Sequence, residues 1–370
     1  MATILDTNLN FNKHFKKDEV LNNFLINDIF SKCKKYKNSI FETYDKYNYD
    51  TVYAIGDIHG DYKALIKILK HIDCIVKEKD KYKWNPKLKN TCIVQVGDIM
   101  GRKDPEKENH VLSETYKSNE IEIIKLLLKL SDEAIKYKSR IILLYGNHDI
   151  RELFNTIDCI KINNFDNKHT SKKCENIALI KEFSKLKGDI LCNYHSICIV
   201  NSYIFCHAGI VYNLIQKLMS LFNITDQQFV SLDISDKLFL INICMVGIFN
   251  GILSDKFDKN IAKIIRETVY NIFYHREYSK GRHVNEDEIF DLHKINIMKN
   301  LLETKMLFNV KGIVIGHNQT LDCKVHKFDN LYYIDVKISE AFGSDIKNDI
   351  NQILKIKKDK KPEIIEVNNK

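Results

Sequence analysis

Short apolar runs rich in β-branched residues recur along the chain: TVYAI (51–55), CIVQV (92–96), IILLY (141–145), SICIV and YIFC between 196 and 206, GIVI (312–315) and LYYI (331–334). Between them apolar residues fall at helical spacing, most clearly over Asp61–Ile72, Glu120–Tyr137 and Ile261–Phe273. Strands that alternate with helices predict an α/β architecture. Ahead of the first strand, Val20, Leu21, Phe24, Leu25 and Ile29 keep helix spacing, which predicts a helical extension over residues 1–47. Residues 48–345 then form the main domain, and the closing stretch KIKKDKKPEIIEVNNK predicts a charged, loosely held tail over 346–370.

Composition changes this picture little. With 370 residues, 44% of them hydrophobic, the chain can bury a sizeable core, and with 13 Gly and 3 Pro it has no obvious linker to divide it. The apolar stretch from Leu238 to Leu253 is shorter than the ~20 residues of a spanning helix and contains Asn242 and Asn250, so a buried helix is expected and no membrane segment. The start, MATILDTNLNFNKHFKKDE, lacks the apolar centre of a signal peptide. Ten cysteines without paired spacing predict reduced thiols and a cytoplasmic setting. The net charge of +8 comes from lysines spread along the chain, as a solvated surface would have them, although it also suits a phosphate-rich partner. Only six of the 57 basic residues are arginine, so the arginine positions carry information.

The ends of the apolar runs carry the chemistry. The first is followed by GDIHG, the second by GDIMGRKDP, the third by GNHD, the fourth by HAGI and the fifth by GHNQT. Each delivers Asp, His or Asn at the same relative place, and open α/β sheets bind ligands at the carboxyl ends of their strands. Asp57 and His59 offer an oxygen and a nitrogen to one metal ion. Asp98 can bridge that ion to a second through its two carboxylate oxygens, and Asn147, His207 and His317 complete the second set. Carboxylate, imidazole and amide together suit divalent Mn best, with Fe or Zn as alternatives, rather than Ca or Mg. Two such ions ~3.5 to 4 Å apart activate a water and clamp a phosphoryl oxygen, so hydrolysis of a phosphate ester or anhydride is expected. Arg102, four residues after Asp98, is placed to meet that phosphate with a bidentate fork.

These motifs, in this order, resemble the calcineurin-like metallophosphoesterases, and within them the phosphoprotein phosphatase superfamily, over about residues 50 to 345. The resemblance implies a sandwich of two mixed β-sheets flanked by helices. It implies that Arg276, in HREYSKGR, is a second phosphate clamp and that His148, beside Asn147, is the acid that protonates the leaving group, with Asp149 orienting it. DNLYYIDVKISEAFG (329–343) is similar to the closing strand and loop of bacterial-type members. Two departures stand out. Gly101 occupies a position where eukaryotic-type serine/threonine phosphatases carry an Asp that supports the catalytic His, and Lys337 stands where a glycine is usual. In its motif forms the chain looks closer to the bacterial diadenosine-tetraphosphate hydrolase and Shewanella-like branches.

The expected activity is therefore metal-dependent hydrolysis of phosphoserine or phosphothreonine monoesters in protein substrates. The alternatives are a dinucleotide polyphosphate or RNA 5′ cap as substrate, and a catalytically weak scaffold that binds phosphate. Arg151, Arg282 and Lys103 are further candidate substrate contacts.

Overall fold

The computed structural model describes residues 48–101, 119–154, 177–253, 259–279, 283–284, 291–339 and 351–367. The extension predicted over 1–47, Arg102, Lys103 and Arg282 lie outside the described residues.

The β-branched runs become the centres of two mixed sheets. In the first sheet β1 (Thr51–Ile55), β4 (Thr91–Gln95), β5 (Arg140–Leu144) and β6 (Tyr194–His195) run parallel. Every residue of β4 and β5 is buried, as expected of strands covered on both faces. The second sheet has the order β12 (His326–Phe328), β13 (Leu331–Tyr333), β10 (Gly312–Ile315), β8 (Tyr203–Cys206), β7 (Ile197–Val200). There β8, β10 and β13 are parallel, and the outer strands β7 and β12 pair antiparallel to their neighbours. Two small pairings complete the set: the hairpin β2 (Ile75–Glu78) with β3 (Lys81–Trp84), and β9 (His283–Val284) with β11 (Gln319–Thr320).

Helices cover the sheets. The first, α1 (Tyr62–His71), starts where the Asp61 carboxylate accepts the Ala64 N–H at 2.9 Å, and it buries Leu65, Ile66, Ile68 and Leu69. It packs beside α2 (Glu120–Ala134), which lies against β5. After α3 (Ile177–Asn193) come α4 (Tyr212–Ser220), α5 (Asp226–Ser231), α6 (Ile234–Leu253), α7 (Lys259–Tyr274) and α8 (Asp291–Phe308) on the side of the second sheet. From Leu238 to Phe249 the apolar stretch is buried within α6, and Asn242 pins it to β7. Its Oδ1 accepts the Ser196 N–H at 2.7 Å and its Nδ2 donates to Ile197 O at 3.0 Å. No helix among the described residues is long and apolar enough to cross a membrane.

Two expectations need correction. The segment read as a charged tail forms β14 (Asn351–Lys357) and β15 (Glu363–Val367), which extend the first sheet beyond β1. The lysine run is mostly the turn between them, while Ile353, Leu354 and Ile356 are buried. The thiols are not all reduced either: Cys74, Cys92, Cys198, Cys206 and Cys244 are buried and free, but Cys192 is disulfide-bonded. Spacing along a chain does not show which cysteines the fold brings together.

Candidate active site

The loops that leave β1, β4 and β5 are laced together by their backbones. Ile58 and His59 both donate N–H to Asp98 O, at 3.1 and 2.9 Å, and Gly60 donates to Ile99 O at 2.8 Å. The carboxylate of Asp149 takes three more amides: Asp98 and Gly146 donate to Oδ2 at 2.9 and 2.8 Å, and Met100 donates to Oδ1 at 2.9 Å. Asp149 therefore orders the loop that carries Asp98. The bend is tight enough that His59 and Asp98 lie in the left-handed region, at φ +44° and +53°, as does His317 at +60°. Backbones of this kind concentrate at functional sites, where surrounding structure holds them in place.

Six sequence-predicted metal ligands converge on this cleft, and all six are buried. Asp98 is the centre. His59 Nε2 lies 3.7 Å from Asp98 Oδ2, and His207 Nε2 lies 3.5 Å from Asp98 Oδ1. The opposite nitrogen of each ring faces a backbone carbonyl, His59 Nδ1 at 3.0 Å from Met100 O and His207 Nδ1 at 2.9 Å from Val96 O. A carbonyl only accepts, so Nδ1 carries the proton in both rings and Nε2 presents a lone pair to the carboxylate. Asn147 Oδ1 sits 2.7 Å from His207 Nε2 and 2.8 Å from His317 Nδ1. Asp57 receives the His317 N–H at 3.1 Å through Oδ2. The Nε2 lone pairs of His59 and His207, turned toward the Asp98 carboxylate and, for His207, toward Asn147 Oδ1, are an arrangement that suits a bound cation.

The electrostatics agree. Burial, and then the neighbouring carboxylates, drive Asp57 and Asp98 well above the ordinary carboxylate range. Burial pushes the His207 imidazole down to about 3, and His317 lower still. Neutral imidazoles around crowded carboxylates are the donor set of a metal centre. The described residues form two such groups, His59–Asp98–His148 and Asp57–Asp98–His207, that share Asp98.

His148 lies at the rim, its Nε2 4.0 Å from Asp98 Oδ2 and its ring edge-on to His59 at 4.8 Å. Gly101 explains its own presence. It has φ +88°, and a Cβ there would stand 2.1 Å from His148 Nδ1, so no aspartate fits beside this imidazole. The amide of Gly101 donates instead to the buried Glu120 carboxylate at 2.8 Å. Arg276, just past α7, is partly buried, and its charge depresses both His207 and His317. Arg151 pairs with its neighbour Glu152 at 3.0 Å.

Asp335 is the site residue that sequence reasoning missed. It follows β13, is buried where its charge acts on the Asp57 carboxyl group, and is pushed up to about 6 by burial. The signal was available, because LYYID is a sixth apolar run that ends in Asp. Lys337 has φ +54°, a conformation that accounts for the glycine expected there.

Comparison with known proteins agrees with this geometry. The chain is 30% identical over 202 residues to Shewanella-like protein phosphatase 1 of Plasmodium berghei, a match that spans 54% of this chain and about half, 49%, of that relative. It is 27% identical over 253 residues to the uncharacterized protein R398 of Acanthamoeba polyphaga mimivirus, covering 62% of this chain and 94% of that one. A cold-active protein-tyrosine phosphatase of a psychrophilic Shewanella shares the fold, with a TM-score of 0.51 at 19% identity over 86% of this chain and 80% of that one. The family model for calcineurin-like phosphoesterases matches residues 51–319, the span that runs from the first strand to the last predicted ligand loop. By that match and by the cleft its strand ends build, the chain belongs to the calcineurin-like metallophosphoesterases.

Proposed function

We propose that the protein is a dinuclear metal-dependent phosphatase that hydrolyses phosphoserine and phosphothreonine monoesters in protein substrates. The observation that carries this is the pair of proton-free Nε2 atoms, of His59 and His207, facing the two oxygens of the single carboxylate Asp98. Asp57, His59 and Asp98 would hold one ion, and Asp98, Asn147, His207 and His317 the other. Bound there, two divalent ions supply Lewis acidity and a nucleophile at neutral pH. The mixed nitrogen and oxygen donors favour Mn, with Fe or Zn as alternatives.

The chain's own groups do the rest. Arg276 and Arg102 grip the phosphoryl oxygens in forks that lysine cannot reproduce. His148 is placed at the rim, where its Nε2 delivers a proton to the departing oxygen. Asp149 keeps the Asp98 loop rigid through three backbone amides. The name of the Plasmodium relative, a protein phosphatase, supports a protein substrate over a dinucleotide.

The test is a metal-resolved substrate screen. Purified protein is stripped with chelator, reloaded with Mn, Fe, Zn or Mg, and assayed on phosphoserine, phosphothreonine and phosphotyrosine peptides, diadenosine tetraphosphate and capped RNA. Activity on phosphothreonine peptides, lost on chelation and restored best by Mn, is the expected result. If diadenosine tetraphosphate or capped RNA is cleaved with kcat/KM about a hundredfold above every phosphopeptide, the nucleotide reading replaces this one. Metal binding without turnover of any phosphate compound would leave only the scaffold.

A further inference from the structure

We infer that Asn318 is the positioning residue of the phosphate grip, aiming Arg276 from the same loop that delivers His317. The inference rests on Arg276 being a clamp. Asn318 directly follows His317, and its side chain is fully buried. Its Oδ1 accepts two bonds, from Arg276 Nη1 at 3.0 Å and from Ser279 Oγ at 2.8 Å. The same Nη1 also donates to His317 O at 3.3 Å. One nitrogen of the guanidinium is thus held by both the backbone and the side chain of the 317–318 step, so the direction of the fork is set by the loop of a candidate metal ligand.

The other end of the linkage is equally fixed. Ser279 and Arg276 belong to one turn, closed by Ser279 N–H to Arg276 O at 3.0 Å. That turn is fastened to the second sheet by Tyr333 Oη, which donates to Tyr278 O at 2.5 Å. An arginine on a free stem loses rotamer entropy each time it grips an anion, whereas one already held in a single direction does not. The amide suits this task better than a carboxylate. Its oxygen orients the guanidinium without cancelling the charge that an oxyanion needs. Its Nδ2, buried and without a partner among the described residues, is left over as a donor beside the grip.

The experiment measures binding of inorganic phosphate by isothermal titration, with metal content determined in parallel, in wild type, Arg276→Ala, Asn318→Ala and the double variant. Arg276→Ala and Asn318→Ala should each weaken phosphate binding about tenfold with metal content unchanged. The double variant should fall within about twofold of Arg276→Ala alone, because a residue that acts through the arginine has nothing left to position. Should Asn318→Ala fail to fold, Ser279→Ala removes one of the two bonds to the same oxygen. It should weaken phosphate about threefold in the presence of Arg276 and not in its absence. A loss at Asn318 of the same size in both backgrounds overturns the inference, as does undisturbed binding in Asn318→Ala where Arg276→Ala is impaired. Undisturbed binding in Arg276→Ala removes the clamp itself, a different failure that the same table of constants shows.

Discussion

The two sheets contribute to the cleft in different ways. The loops after β1, β4 and β5 supply Asp57, His59, Asp98 and Asn147, and they hold one another through backbone amides and the Asp149 carboxylate. The loops after β8 and β10 supply His207 and His317, which reach the cleft as single side chains anchored on the first sheet, His207 on Val96 O and the His317 amide on Asp57. The first sheet is a platform that keeps its shape through many bonds. The second adds ligands one at a time, and with them the Arg276–Asn318 linkage. Damage to the platform should therefore spread to both ions, and damage on the second side should stay local.

The largest expected effect is at the shared residue. Asp98→Asn removes the carboxylate that faces both imidazoles, so elemental analysis should show both ions depleted and turnover should fall roughly a thousandfold or more. Retention of two ions would mean that Asp98 does not bridge. Next comes Asp149→Ala, which touches no ion in this reading but leaves the amides of Asp98, Met100 and Gly146 buried without their acceptor. Unsatisfied buried donors cost about 1–3 kcal/mol, so denaturant unfolding should register a loss of at least that order, accompanied by weaker binding of both ions. Wild-type stability would break the platform idea. By contrast His317→Ala should cost one ion of the pair and little stability, and its metal titration should retain a single tight site. A smaller change, Arg276→Lys, keeps the charge and loses the fork. It should weaken kcat/KM by about 1.5–3 kcal/mol, and near wild-type kinetics would remove Arg276 from the site.

Much of this was legible in the sequence, because strand ends are local events. An apolar run that stops at Asp, Asn or His beside a glycine marks its own carboxyl end, and five such ends agree only if they meet. The same rule would have reached Asp335 had it been carried to the sixth run. It could not show what Asp149 binds, since its partners are backbone groups up to 51 positions away. Nor could it explain Gly101, whose reason is the imidazole of His148 standing where a side chain would go.

Local patterns along the chain set the order of elements, the α/β class and the chemical character of each loop, since periodicity, β-branching and turn residues act within a few positions. The tertiary structure alone decided which lone pairs face one another and where the chain's last strands lie. Residues 351–357 have enough charge around them to read as solvated, and they become a strand because Thr51–Ala54 on one side and Glu363–Val367 on the other offer backbone donors and acceptors. Asn318, equally, is an ordinary loop amide until the turn at 276–279 arrives from another part of the chain to bond it. Hydrogen bonds between distant segments leave no periodic trace in either one, and so they are settled only when the fold closes.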